Sequence, residues 1–95
     1  MIPSYQIIHW FQSKLNLLLG RTFDQTTPNS YTFLESQKIL NLNEILLRLY
    51  NFQITDKEED ELEGILLEAQ QIYVDTPVER TNEIEQMLER HFVRK

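Results

Sequence analysis

Cysteine is absent from this 95-residue chain. Disulfides and thiolate metal sites are therefore excluded, and the composition fits a reducing compartment. Glycine occurs twice and proline three times. So little turn material disfavours a multi-stranded β fold. Long apolar runs are lacking as well. The segment Met1 to Gln6 has no basic residue, and the apolar stretch after it is broken by His9, Gln12, Lys14 and Asn16. Neither a signal peptide nor a membrane span has that pattern. The expectation is a cytoplasmic protein without membrane contact. Gly20 and Gly64 stand alone, so there is no glycine-rich phosphate loop.

Positive charge is also in short supply. Residues 1–52 carry four basic and three acidic residues, a balance of +1. Residues 53–95 carry five basic and twelve acidic residues, a balance of −7. An acidic half repels phosphates and anionic lipid and can attract a basic partner. Lys14, Arg21, Lys38 and Arg48 are scattered, and Arg90, Arg94 and Lys95 stand beside Glu85 and Glu89. Nucleic acid is not an expected partner.

What the chain does hold is helical periodicity. The densest stretch is Ile39 to Tyr50, where eight of twelve residues are apolar. Leu42, Ile45, Leu46 and Leu49 share one face at about 100° per residue, while Leu40 and Leu47 point away from it. A helix apolar nearly all round needs neighbours on several sides, so this stretch is expected at the centre.

The other helices arrange themselves around it. Pro3 suits a first helical turn. Ile7, Ile8, Phe11, Leu15, Leu18 and Leu19 then form one stripe, with Gly20 as the expected stop. Trp10 and Leu17, seven residues apart, lie off that stripe. Arg21 to Thr27 reads as a loop with Phe23 tucked beneath it. Thr27-Pro28 is a start signal for the central helix. Its main line is Tyr31, Leu34, Leu42, Ile45 and Leu49. Asn41-Leu42-Asn43-Glu44 has the form of an N-cap. One continuous helix that Asn41 can kink is favoured, and two helices meeting there are the alternative. Thr55-Asp56-Lys57-Glu58 and Thr76-Pro77-Val78-Glu79 are both capping boxes. After the first, Leu62, Ile65, Leu66, Ala69, Ile72 and Tyr73 form the buried stripe, with Leu67 and Val74 off it. After the second, Ile84, Met87, Leu88 and Phe92 face inward. The fold expected is all-α: a small antiparallel four-helix bundle in one domain, 1–95. Its helices are placed at 4–19, 28–51, 56–74 and 77–93, with the second helix central.

Candidate chemistry is sparse. The acidic patch of Asp56, Glu58, Glu59, Asp60, Glu61 and Glu63 includes Glu58-x-x-Glu61, two carboxylates on one helical face. A di-metal bundle site needs Glu-x-x-His as well, and neither histidine has Glu three residues before it. The positive end of a helix dipole accounts for the acids without a metal. His9 and His91 lack a partnered nucleophile, and His91 suits a helix C-terminus. No catalytic residue, metal site or cofactor is expected. The remaining signal is apolar. Trp10 and Leu17 on the first helix, and Leu67 and Val74 on the third, make second stripes. Rimmed by Gln6, Ser13 and Lys14, such stripes mark association sites. The expected function is that of a small non-catalytic regulatory or accessory protein acting through a protein partner or as a homodimer. The alternatives are an acidic inhibitor of a basic or nucleic-acid-binding protein and, last, a small helical enzyme.

Overall fold

Four amphipathic stripes joined by short connectors can bury their apolar faces only against one another. In the computed structural model they do so as an all-α bundle. Residues 1–25 and 33–95 are described, the side chains of 21–25 excepted. The helices are α1 (Ser4–Gln25), α2 (Phe33–Arg48), α3 (Glu59–Gln71) and α4 (Pro77–Glu89). A 3-10 turn at Leu49–Asn51 follows α2 and leads into β1 (Phe52–Gln53). After α4 the chain ends in β2 (Val93–Arg94), antiparallel to β1, with Phe52 opposite Arg94. Among the described residues, no helix is long and apolar enough to cross a membrane.

The central position falls to α2, which packs on all three other helices. Its inner line of Leu42, Ile45 and Leu49 meets Ile7, Phe11 and Leu15 of α1, Leu62, Ile65 and Ala69 of α3, and Ile84, Met87 and Leu88 of α4 in one core. Phe52 and Phe92 complete that core. The covering of α2 is nonetheless incomplete. Leu40 and Leu47 are exposed, as are Leu34 and Phe33. Three helices can flank a fourth without enclosing it, so Leu34 does not belong to the buried line. Among the described residues, Arg80 is the charged side chain that is buried, and its Nε has no hydrogen-bond partner there.

Several helix ends differ from those read in the sequence. Gly20 does not stop α1, which continues to Gln25 with no glycine at positive φ. A helix-interior glycine costs only about 1 kcal/mol relative to alanine, which neighbouring turns can absorb. Gly64 of α3 has open space around its Cα and marks no close helix approach. The Thr27-Pro28 start signal and Tyr31 lie outside the described residues, as does the side chain of Phe23.

α2 runs unbroken through Asn41. Asn41 is fully buried, at 0% exposure. Its side-chain amide donates to the backbone carbonyls of Ala69 (2.6 Å) and Ile72 (2.8 Å), and its oxygen accepts from the Gln37 amide at 3.2 Å. Those carbonyls belong to the end of α3, where i+4 backbone donors run out; the Ala69 carbonyl also accepts from the Ile72 N–H at 3.2 Å. Thus α3 stops at Gln71 and Ile72 turns extended. Tyr73 is exposed rather than on a buried stripe, and Val74 lies beyond the helix, half-buried in the connector.

The first capping box does not form. The N-cap position of α3 is Glu58, with no side-chain cap. The backbone of Lys57 is taken by a two-way pairing with Ile2 at 2.7 and 3.0 Å. Asp56 turns to another helix: its carboxylate accepts from the Ser4 backbone N–H at 2.7 Å, at the positive end of α1. The second box does form. Thr76 accepts from the Glu79 N–H at 3.3 Å, with Pro77 in the first turn. Thr76→Ala is therefore expected to cost about 1 kcal/mol. Thr55→Ala should stay within about 0.5 kcal/mol of wild type. Chemical denaturation of both variants measures the difference, and equal losses would contradict this assignment of the caps.

At the other end, α4 closes at Glu89 rather than near residue 93. Phe92 turns into the core and the tail becomes β2. Arg94 pairs with Glu89, and its hydrogen bond to the Glu89 carboxylate raises the guanidinium pKa further.

Candidate functional site

The outer side of α1 carries a shallow apolar hollow. Trp10 and Leu17 line it together with Ile2, Gln6, His9, Ser13 and Lys14, around a volume of 310 Å³. Helical geometry explains the grouping: positions 6, 10, 13, 14 and 17 follow spacings of three and four and share one face. Ile2 joins from the extended segment that pairs with Lys57.

Trp10 has two roles here. It is half-buried and packs from outside on the core, edge-to-face with Phe11 at a centroid distance of 5.0 Å. Its other side lines the hollow. The Lys14 ammonium lies 5.1 Å from the Trp10 ring centroid and 3.0 Å from the Glu63 carboxylate. A lysine held between an aromatic face and a carboxylate is restrained in orientation. The polar rim is therefore partly ordered, while Leu17 is 55% exposed.

Of the second pair, Leu67 is 56% exposed on α3 and Val74 is half-buried beyond its end. Neither lines the α1 hollow. Leu67 does relate to it through the Lys14–Glu63 ion pair. Leu17 follows Lys14, and Leu67 follows Glu63, by about one helical turn each.

The acidic patch is divided among separate tasks. Asp56 caps α1, Glu61 lies 3.7 Å from Lys57, Glu63 holds Lys14, and Glu58 lies 3.6 Å from the amino group of Met1. Glu59 and Asp60 occupy the exposed first turn of α3. Among the described residues no three His, Asp or Glu side chains are grouped as metal ligands would be.

The histidines are far apart in role. His9 is exposed at the hollow. His91 lies past the end of α4, with its Nε2 3.3 Å from the Glu68 carboxylate, which also pairs with Arg90. Its carbonyl accepts from the Lys57 ammonium at 2.7 Å.

A larger groove was not legible in the sequence. It runs between α3 and α4, with a volume of 530 Å³, and is lined in part by Ile72, Tyr73, Glu83, Gln86 and Met87. Tyr73 and Glu83 are ten positions apart and on different elements, so no local spacing signals their proximity. No family model matches the chain, and no curated protein or solved structure matches it either.

Proposed function

We propose that this protein is a non-catalytic interaction module, regulatory or accessory in role, that forms a homodimer through the outer face of α1. The observation carrying this reading is the Trp10–Leu17 hollow. An aromatic anchor fixed from behind by the core, beside an exposed leucine and a polar rim, has the composition of an association hot spot. A domain of this size leaves much apolar surface uncovered, and a second copy would bury it. A two-fold dimer sets the same patch against itself, so each substitution counts twice. The exposed Leu67 would extend the contact past the Lys14–Glu63 pair. A cytoplasmic location belongs to the same proposal and accords with the absence of cysteine.

The inhibitor reading has less support, because Asp56, Glu61 and Glu63 have partners within the chain. An enzyme reading would need a nucleophile or acid–base pair in a shared pocket, and His9 and His91 line different regions.

Light scattering on the wild type is expected to give a dimer mass that persists in high salt. Leu17→Asp is the cleaner test, since Trp10 also packs on the core. It should give a folded monomer, whereas Trp10→Asp should lose stability as well. A wild type that is monomeric across concentrations would overturn the homodimer reading, and so would a Leu17→Asp variant that remains dimeric.

A further inference from the structure

We infer that the groove between α3 and α4 docks a cationic, amphipathic segment of a partner protein. This inference does not depend on the α1 face. Met87, buried, and Ile72, half-buried, lie beneath a groove whose open surface is mostly polar. Tyr73 forms an exposed aromatic wall, braced edge-on by Phe33 at 5.7 Å. Glu83 stands on the opposite wall with a carboxylate that makes no ion pair among the described residues. Glu68 adds a second carboxylate, shared by Arg90 and His91. Gln71 and Gln86 supply further donors and acceptors.

Tyr73 and Glu83 select the same chemistry. The exposed Tyr73 ring, with Phe33 behind it, seats the apolar face of an amphipathic segment. An exposed aromatic ring facing, across the groove, a carboxylate with no ion pair among the described residues favours a lysine or arginine side chain, by cation–π attraction and by charge. The surrounding half of the chain, residues 53–95, has a balance of −7 and steers cations toward this side. Arg90 is the opposing charge on the rim. It is itself mostly exposed and tied to Glu68.

That opposition gives a test with two signs. The probe is a short amphipathic peptide of leucine and lysine, titrated at low salt while backbone amide shifts are followed by NMR. Saturable shifts are expected at Tyr73, Glu83 and Gln86, and not with the same peptide carrying glutamate for lysine. Glu83→Gln should weaken binding about two- to fivefold, as loss of one exposed charge contact does. Arg90→Gln should strengthen it by a similar factor. Glu59→Gln, an exposed acid outside the groove, should leave it unchanged. If Glu59→Gln weakens binding as much as Glu83→Gln, general acidity is responsible and the groove assignment is wrong. Shifts confined to the Trp10–Leu17 hollow, or no saturable binding, would also overturn it. Groove shifts that depend on protein concentration alone would identify a second copy as the occupant, and would likewise overturn it.

Discussion

Phe52→Ala is expected to cost about 3–5 kcal/mol, the usual loss for a fully buried phenylalanine. The ring is 1% exposed. It closes the core at the end of the 3-10 turn, and the Arg94 guanidinium lies 5.2 Å from its centroid. Its backbone carries the β1–β2 pairing, and Asn51 beside it accepts from the Lys95 N–H at 3.0 Å. The substitution therefore removes core volume and the packing that holds the tail. Domains of this kind have a net stability of about 5–15 kcal/mol, so the variant should lie near the edge of unfolding. Chemical denaturation should show the loss, and hydrogen exchange at Val93–Lys95 should accelerate more than in α2. Tyr50→Ala, two residues earlier on an exposed side chain, provides the comparison. Equal losses for the two would show that Phe52 is not a core residue.

Asn41→Leu is expected to cost about 2–4 kcal/mol even though leucine is apolar and has the same number of side-chain heavy atoms. The reason lies with the partners left behind. The Ile72 carbonyl loses its side-chain donor, the Ala69 carbonyl keeps only the Ile72 N–H at 3.2 Å, and the Gln37 amide loses its acceptor. Each buried polar group left unsatisfied costs about 1–3 kcal/mol, and local relaxation or entering water recovers part of the sum. Asn43→Leu, two residues away and exposed, should change stability by no more than about 0.5 kcal/mol. Denaturation of the two variants separates a buried network from mere helix propensity. If Asn41→Leu were neutral or stabilising, the network would not hold α3 in place.

The Asn41 result bears on how much of this protein can be read locally. Asn41 in sequence looks like a helix breaker or an N-cap. In the fold it serves the end of a different helix, 28 residues away. Asp56 looks like part of the capping box of α3 and caps α1 instead, from 52 residues away. In each case the residue type was informative: a short polar side chain satisfies orphan groups at a helix end. Which helix end it served was not. The hollow was more legible, because Trp10 and Leu17 are on one helix and periodicity reports their shared face directly. Val74 lies off α3 because its helical place depended on α3 continuing, and the Asn41 amide accompanies an earlier stop.

The sequence by itself determined the helical class, the number and order of the helices, the central place of the stretch around Leu42 to Leu49, and most of the buried stripe on each helix. These follow from the 3.6-residue period, which is a property of neighbouring positions. Only the tertiary structure decided where α3 and α4 stop, that β1 and β2 pair, and that Leu34, Leu40 and Leu47 stay exposed. It also decided which acids are spent inside the chain and that Tyr73 and Glu83 face one groove. Those outcomes depend on partners far apart in sequence. Two-residue strands carry no period, and a hydrogen-bond partner is chosen by proximity that only packing creates.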